Sequence, residues 1–297
     1  MNNIALSTVA VIVTYNRLGL LQECIGAIKN QSTTPEAIIV INNGSTDGTA
    51  AWLEDQKDLV VYNQKNLGGA GGFYRGIKEA YELGYNWIWA MDDDGYPAPD
   101  CMQQLQACIA NQPDVDVWGC IVFDRDEKSN LAFQNAALYS KTGELDKSVE
   151  FVDNWAPFFN GVLFSKNVIQ KFGYPNPSLF IWGDEVDYLL RIVNGGGKIK
   201  TTTKAVFYHP KDRLYSVKHN NFYVYTGGYD WKAYCFFRNR AYIGKLHYNS
   251  RYIKLVLNQL AYNYKTMPLI DFFKSSALIV KAHRDGLNFD LTKKLPY

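Results

Sequence analysis

The segment Val9-Ala-Val-Ile-Val-Thr14 is a short run of apolar, mostly β-branched residues without polar alternation. Such a run predicts a strand that is buried on both faces, as in a parallel sheet covered by helices. An amphipathic helix is predicted to follow, because apolar residues recur at helical spacing at Leu18, Leu21, Ile25 and Ile28. This part of the chain therefore has the pattern of a strand followed by a helix.

Three more apolar runs predict strands further along the first hundred residues, at Ala37–Ile41, Leu59–Tyr62 and Asn86–Met91. Strands that alternate with helices imply βαβ units. The sequence therefore predicts an α/β fold with a mostly parallel, doubly wound central sheet flanked by helices. In such sheets ligands bind outside the carboxyl ends of the strands, and the unusual polar clusters of this half follow such ends.

The pattern becomes mixed from about Trp118. Further elements are predicted as strands at Trp118–Phe123, Leu131–Tyr139, Lys198–Thr203 and Ala205–Tyr208, a helix at Asp184–Val193, and helices near 230–247, 251–265 and 268–285. We therefore expect an α/β domain over residues 1–215, followed by a basic, aromatic-rich helical region over residues 216–297.

The composition excludes several classes of protein. The 297 residues are 47% apolar and 20% charged, which is too apolar for a disordered chain. No apolar run approaches the roughly 20 residues that span a bilayer, and no secretory signal is visible. Five scattered cysteines without a CxxC pair suit a reducing cytosol. We therefore expect a cytoplasmic protein.

The net charge of +2 is a cancellation between two parts of the chain. Residues 1–209 carry 16 Lys and Arg against 24 Asp and Glu, whereas residues 210–297 carry 15 against 5. Opposite net charge in the two parts indicates that the chain interacts with a surface or a partner.

Three adjacent carboxylates, Asp92-Asp-Asp94, follow the predicted strand Asn86–Met91. Their mutual repulsion makes ionisation costly unless a cation neutralises it. Mg²⁺ and Mn²⁺ prefer carboxylate oxygens and keep positions open for phosphate oxygens. A solvated acidic turn is the alternative, but the position at a strand end favours a site. Asp92 and Asp94 lie two residues apart, so an extended segment aims both to one side, and we predict them as metal ligands.

The segment Asn66-Leu-Gly-Gly-Ala-Gly-Gly72 holds four glycines within five residues and leads into a predicted helix at Phe73–Leu83. Glycines let the backbone approach a ligand, and a helix N-terminus favours anions. The segment is neither a dinucleotide fingerprint nor a Walker loop. A flexible turn is the alternative to a diphosphate contact, to which Arg75 would contribute.

Polar segments also close the first two predicted strands, at Thr14–Arg17 and Asn42–Asp47. Their amide and hydroxyl groups can bind a base and a ribose, and Tyr15 offers a stacking face. The same residue types cap helices, so capping by Asn16 and by Ser45 or Asp47 stays open beside the binding role.

A second acidic focus lies in Ile181–Arg191, where Asp184, Glu185 and Asp187 crowd a predicted helix start. Ordinary first-turn acids, which the helix dipole stabilises, are the alternative. The functional interpretation is a general base beside a tryptophan-rich entrance. Trp155 and Trp182 are the candidates for stacking on a sugar. His209 ends the last predicted strand, where it could complete a metal shell.

This ordered set of motifs resembles the inverting family-2 glycosyltransferases, most closely the bacterial galactofuranosyltransferases and rhamnosyltransferases. The resemblance covers about residues 8–240, and Asn66–Gly72 with the triple aspartate favours the galactofuranosyl branch. It implies a GT-A fold, a metal-binding DxD motif and a nucleotide-sugar donor. The segment Tyr234–Arg240 and the Arg-Asp-Gly-Leu stretch at 284–287 resemble motifs of the same enzymes.

The resemblance also implies roles for individual residues. By position, Mn²⁺ or Mg²⁺ would be held by Asp92, Asp94 and His209, and the catalytic base would be Glu185 with Asp184 as the alternative. The expected donor contacts are Thr14, Tyr15, Asn16, Arg17, Asn42, Asn43, Asp47, Gly68, Gly69, Gly71, Gly72, Arg75, Asp92 and Asp93. The expected acceptor contacts are Trp155, Trp182 and Asp187. This chain departs from the family at two positions. The family usually has Asp-Asn where this chain has Asn42-Asn43, and it usually has Asp at the base position, where this chain has Glu185.

The implied reaction is a single displacement that inverts the anomeric carbon. UDP-galactofuranose is the favoured donor and dTDP-rhamnose the second, with a glycan or polyprenyl-diphosphate-linked acceptor of bacterial surface polysaccharide. The basic C-terminal helices predict peripheral contact with the inner face of the cytoplasmic membrane, against the alternatives of packing on the body or a homo-oligomer contact.

The sequence disfavours three other functions. A nucleotidyltransferase would show a glycine-rich signature with Lys or Arg at the first strand, which Val13-Thr-Tyr-Asn16 lacks. An inactive sugar-binding scaffold is disfavoured by the complete acidic sites. A nucleic-acid partner is not expected, because the predicted cleft is acidic and the basic residues lie far along the chain.

Overall fold

The computed structural model describes residues 7–133, 135–139, 145–146, 148–211, 216–219, 222–248 and 252–288. The chain forms two compact units. The first comprises Met1–Pro177 with Tyr188–Asp212, and the second comprises Ser178–Asp187 with Arg213–Tyr297. The second unit thus includes a short segment from the middle of the chain, whereas the sequence predicted one boundary near residue 215.

The first unit is built on a central β-sheet. Its described strands are β1 (Thr8–Thr14), β2 (Ala37–Asn42), β3 (Val60–Asn63), β4 (Trp87–Asp92), β5 (Tyr96–Pro97), β6 (Val117–Asp124), β7 (Phe151–Asp153), β8 (Asn160–Ser165) and β9 (Ile199–His209). They lie in the order β3-β2-β1-β4-β8-β6-β9-β5, with β7 beside β9.

Strands β3, β2, β1 and β4 are mutually parallel, as predicted. Beyond β4 the sheet is mixed, because β8 runs antiparallel to both β4 and β6 while β9 is parallel to β6. The predicted strand Leu131–Tyr139 is wrong. Leu131 forms an isolated bridge with Phe123, and Ala136–Leu138 is a 3₁₀ turn because the Asn135 side chain accepts a hydrogen bond from Ala137 N.

Helices cover both faces of this sheet. They are α1 (Leu18–Lys29), α2 (Thr49–Glu54), α3 (Gly68–Glu82), α4 (Cys101–Asn111), α5 (Lys166–Phe172) and α6 (Asp184–Asn194), whose first turn belongs to the second unit. Alternate residues of β1 enter different cores. Ile12 packs with α1 and α4, whereas Val11 packs with α3 and α5. This alternation confirms a central sheet flanked by helices.

The second unit contains the hairpin β10 (Ser216–His219) and β11 (Phe222–Tyr225), and the helices α7 (Trp231–Ile243), α8 (Tyr252–Thr266) and α9 (Leu269–Leu287). These helices confirm the three helical patterns of the sequence. An aromatic core around Tyr225, Phe236 and Phe237 holds the unit together with Ile279 of α9. Within the described ranges, no helix is both long enough and apolar enough to cross a membrane.

Candidate active site

The parallel strands bring polar residues together at one edge of the sheet. Thr14 pairs with Asn42 across β1 and β2, and Val13 pairs with Asp92 across β1 and β4. The strands therefore end side by side, and the segments that follow them share one rim of the sheet. This is the edge at which α/β folds bind ligands.

Asp93 is the buried member of the aspartate triplet. Its carboxylate accepts hydrogen bonds from Thr14 Oγ1 at 2.7 Å and from Arg17 Nη1 at 3.0 Å. The pKa of Asp93 lies above its ordinary value because burial disfavours the charged form more strongly than Arg17 and Thr14 favour it. Asp93 thus anchors the turn between its two neighbours, which face the rim.

Asp92, Asp94 and His209 form a cluster of possible metal ligands at this edge. One ligand atom of each lies within 4.8 Å of the others. Burial alone would raise the pKa of Asp94, but His209 and Arg17 outweigh burial and hold that pKa below its ordinary value. The Asp94 carboxylate is therefore charged at neutral pH.

The contact between His209 and Asp94 tests whether the cluster fits a metal. His209 Nδ1 lies 2.7 Å from the Pro210 carbonyl, which can only accept, so Nδ1 carries a hydrogen. His209 Nε2, the other ring nitrogen, lies 3.0 Å from Asp94 Oδ1. That buried oxygen has no hydrogen-bond partner in the described part of the chain. Either a proton on Nε2 or a bound cation would satisfy this contact, and an Asp-Asp-His set suits Mn²⁺ or Mg²⁺.

Arg125, which the sequence did not predict as a site residue, contributes to this turn. Its Nη1 donates to the Asp94 carbonyl at 3.0 Å, and its Nη2 donates to Glu23 at 2.7 Å. Its guanidinium also lies 5.5 Å from the centre of the Tyr96 ring. The local sequence Asp-Arg-Asp-Glu at 124–127 has only the pattern of a solvated turn, so no sequence signal marked this role.

Side-chain hydrogen bonds join the loop after β1 to the loop after β2. Asn16, at φ 54°, accepts a hydrogen bond from Thr46 N at 2.6 Å, and Asp47 accepts one from Leu18 N at 3.1 Å. Tyr15 is exposed at this rim. Asp47 thus binds the first N–H of α1, as the capping interpretation expects, whereas Asn16 bonds the other loop instead of a helix start.

The asparagine pair after β2 is engaged within the protein. Asn42 Nδ2 donates to Asn63 Oδ1 at 2.8 Å. Asn43 Nδ2 donates to the Gly68 carbonyl at 2.9 Å, and Asn43 Oδ1 accepts from Leu67 N at 3.1 Å. Asn43 thus fixes the start of α3 beside β2.

The glycine-rich segment lies inside a helix, which corrects the predicted loop before Phe73. Helix α3 begins at Gly68, and its glycines differ in what surrounds them. A Cβ at Gly71 would lie 2.4 Å from Leu67 Cβ, and one at Gly72 would lie 2.3 Å from Val13 Cγ1. A Cβ at Gly69 would meet no atom within 4 Å. Gly71 and Gly72 therefore allow close packing, whereas Gly69 lies beside open space at the helix N-terminus.

Two further predicted contacts are engaged inside the first unit. Arg75 pairs with Glu79 and lies 5.1 Å from the centre of the Tyr62 ring. Trp155 is half-buried against the cluster around Val152, and its carbonyl accepts a hydrogen bond from Thr201 Oγ1 at 2.7 Å.

The second acidic focus belongs to the second unit. Glu185 is half-buried, and its Oε2 accepts a hydrogen bond from Gly183 N at 2.9 Å. Asp184 is 5% exposed, and Asp187 is fully buried with His247 Nε2 3.4 Å from its Oδ1. Trp182 is half-buried and packs edge-on against Phe236. Glu185 is thus the most accessible of these three acids.

Comparison with known proteins assigns the fold and the family. The model of the family described as "Glycosyl transferase family 2" matches residues 9–172. Galactofuranosyltransferase GlfT1 of Mycobacterium tuberculosis is 30% identical over 250 residues, which cover 80% of this chain and 82% of that protein.

Two solved structures share the GT-A fold. S. aureus TarS 1-349 in complex with UDP matches with a TM-score of 0.59 at 12% identity. The match covers 97% of this chain and 92% of the TarS chain. GalNAc-T7 with UDP, GalNAc and Mn²⁺ matches with a TM-score of 0.59 at 14% identity. The match covers 99% of this chain and 59% of the GalNAc-T7 chain. At these identities the likeness concerns the fold alone.

Proposed function

We propose that this chain, which belongs to glycosyl transferase family 2, transfers galactofuranose from UDP-galactofuranose to a glycan or a polyprenyl-diphosphate-linked glycan, with inversion of the anomeric carbon. The chain is a hexosyltransferase of the GT-A fold. The observation that carries the choice of sugar is the 30% identity to GlfT1 over four fifths of the chain. The Asp92, Asp94 and His209 cluster at the strand ends supports a nucleoside-diphosphate donor.

The donor would lie at the rim of the first unit. Asp92, Asp94 and His209 would hold Mn²⁺ or Mg²⁺, which neutralises charge on a leaving diphosphate. The N–H groups at the start of α3, around Gly69, favour an anion. Exposed Tyr15 offers a face for the base.

Glu185 is the proposed general base. Gly183 N–H holds one carboxylate oxygen, Oε2, and the other oxygen can take the proton of an acceptor hydroxyl. The hydroxyl oxygen then attacks the anomeric carbon from the face opposite the leaving diphosphate, and the UDP departs with the electron pair. Asp184 is the alternative base, and Trp155, Trp182 and Asp187 stay proposed acceptor contacts.

A donor panel tests this function. The purified full chain is incubated with Mn²⁺, a galactan acceptor, and UDP-galactofuranose, dTDP-rhamnose, UDP-glucose or UDP-galactose in parallel. Fastest release of UDP from UDP-galactofuranose is expected. Preference for dTDP-rhamnose would make the chain a rhamnosyltransferase, and neither turnover nor binding of any donor would make it a scaffold.

We further propose that the second unit contacts anionic lipid, the surface on which a polyprenyl-linked acceptor resides. Helices α8 and α9 carry apolar stripes on exposed positions at helical spacing. These are Ile253, Leu257 and Tyr264 on α8, and Ile270, Phe273 and Val280 on α9, each more than half exposed. Exposed apolar stripes of this kind mark an interaction surface.

The charge around both stripes selects the partner. Exposed basic residues flank them at Lys254, Lys265, Lys274, Lys281 and Arg284. A second copy of the same face would bring like charges together, whereas anionic headgroups would neutralise them. Phe273→Glu with Leu257→Glu should abolish sedimentation with phosphatidylglycerol vesicles. Leu83→Glu, which removes an exposed leucine of the first unit, is the matched control. Equal sedimentation of all variants would refute lipid contact.

A further inference from the structure

Two adjacent buried side chains of α7 hold the segment that precedes the acidic turn of α6. Arg238 is 2% exposed and Asn239 is 1% exposed. Arg238 Nη2 donates to the carbonyls of Ser178 at 3.1 Å and Leu179 at 2.9 Å. Asn239 Nδ2 lies within donating distance of the carbonyls of Leu179, Ile181 and Trp182, at 2.9, 2.9 and 2.7 Å. The two side chains also bond each other, because Arg238 Nε donates to Asn239 Oδ1 at 2.9 Å.

The segment that they hold has an unfavourable backbone conformation. Phe180 has φ 68° and Trp182 has φ 59°, and Gly183 follows at φ 105°. A left-handed conformation is unfavourable for a non-glycine residue, because its Cβ approaches the following carbonyl oxygen. Two such residues within a short turn require external support, and the buried donors of α7 provide it.

One peptide unit connects Asn239 to Glu185. The Trp182 carbonyl and the Gly183 N–H belong to the same peptide plane. Its carbonyl accepts from Asn239 Nδ2 at 2.7 Å, and its N–H donates to Glu185 Oε2 at 2.9 Å. Because the plane is rigid, a bond that fixes the carbonyl also aims the N–H. A donor on the carbonyl also polarises the peptide and strengthens its N–H as a donor.

Gly183 is also held between the first turn of α6 and the side chains of α7. Gly183 O accepts from Asp187 N at 2.8 Å, which ties it to the first turn of α6. A Cβ at Gly183 would lie 3.0 Å from Ile243 Cδ1 and 3.3 Å from Asn239 Cβ, so only glycine fits at this φ. Gly183 therefore has little freedom to reorient when the bond from Asn239 is intact.

We propose that Asn239, braced by Arg238, is a positioning residue that orients the Glu185 carboxylate through the Trp182–Gly183 peptide. The proposal rests on the proposed function, in which Glu185 is the base. It gives the Tyr234–Arg240 motif a role in the reaction. It also predicts that the C-terminal helices are needed for turnover and not only for stability.

Asn239→Ala in the full chain tests the proposal. Without the bond to Trp182 O, the peptide plane can rotate and the carboxylate loses its donor. We expect kcat for galactofuranosyl transfer to fall at least about tenfold, with the Kd for UDP in Mn²⁺ unchanged. Asn239→Ser retains one hydroxyl donor and should recover part of kcat. It also serves as the test variant if Asn239→Ala does not fold.

Asn263→Ala is the matched control. Asn263 is also a fully buried amide of the second unit, and it bonds Tyr229 and Ser275 on other elements. This variant should lose stability while retaining kcat. Equal kcat in Asn239→Ala and wild type would overturn the proposal. So would a fall in kcat that Asn263→Ala reproduces, or a fall accompanied by loss of UDP binding.

Amide hydrogen exchange separates this proposal from the proposed function. Peptides that cover residues 178–187 should exchange faster in Asn239→Ala than in wild type, and Asn263→Ala should leave them protected. If wild type transfers no galactofuranose, the function fails while this readout still reports on Asn239. If the exchange of residues 178–187 is unchanged in Asn239→Ala, the positioning role fails whatever the enzyme transfers.

Discussion

Arg17 binds one oxygen of Asp94 and leaves the other facing His209. Arg17 Nη1 lies 2.7 Å from Asp94 Oδ2, while Asp94 Oδ1 lies 3.0 Å from His209 Nε2. The guanidinium thus orients the carboxylate without occupying the oxygen that faces His209. A divalent cation bound at Oδ1 would meet a ligand that is already held in place.

His209→Ala removes one of the three proposed ligands. We expect the affinity for Mn²⁺ in the presence of UDP to fall at least about tenfold, the lower end of what even a change outside the ligand set costs. Isothermal titration of Mn²⁺ into the protein measures this. His219→Ala, on the hairpin β10–β11, is the control and should bind Mn²⁺ as wild type does. An unchanged affinity in His209→Ala would contradict the assigned site.

Glu185→Gln keeps the size of the side chain and removes its basicity. Loss of a general base costs about 10²–10⁴ in rate, so transfer should fall by that factor while UDP binding persists. Asp184→Asn should retain more activity than Glu185→Gln. Steady-state kinetics of both variants distinguishes the two acids, and the reverse order would assign the base to Asp184.

The α3 glycines should differ in their sensitivity to alanine. Gly72→Ala places a methyl group 2.3 Å from Val13 Cγ1 and should destabilise the protein by about 1–3 kcal/mol through overpacking. Gly69→Ala meets open space, and alanine is the better helix former, so stability should be unchanged or higher. Thermal denaturation monitored by circular dichroism compares them. Equal melting temperatures would refute the packing role of Gly72.

Tyr234→Phe tests the contact between Tyr234 of α7 and the Arg-Asp-Gly-Leu stretch at the end of α9. The Tyr234 hydroxyl donates to Asp285 at 2.7 Å, and Asp285 is 1% exposed. Removing this donor from a buried carboxylate should cost about 1–3 kcal/mol of unfolding free energy. Urea denaturation measures the change, with the exposed Tyr223→Phe as control. A Tyr234→Phe protein as stable as that control would show that the bond contributes nothing.

Much of the fold could be predicted because buried parallel strands have a strong local pattern. The apolar runs of β1, β2 and β4 predicted adjacent strands, and the polar segments at their ends predicted where a ligand would bind. Which of the three aspartates in Asp92–Asp94 is buried could not be predicted. The three side chains are chemically identical, and only tertiary contacts with Thr14 and Arg17 draw Asp93 into the interior.

Long-range contacts explain the other differences. The glycines of α3 have the local pattern of a loop, but Gly72 packs against a strand far away in sequence. The segment Ser178–Asp187 joins the second unit because its carbonyls accept bonds from Arg238 and Asn239, some 60 positions later. The Arg-Asn pair was visible as a motif, but its partners were not.

The product of the reaction tests the central claim most directly. The full chain is incubated with UDP-galactofuranose, Mn²⁺ and a galactan acceptor, and the anomeric configuration of the new linkage is read by NMR. The account predicts a galactofuranosyl product whose anomeric configuration is inverted relative to the donor, and no product after the metal is removed with EDTA. A product with retained configuration, or transfer that persists without metal, would contradict it.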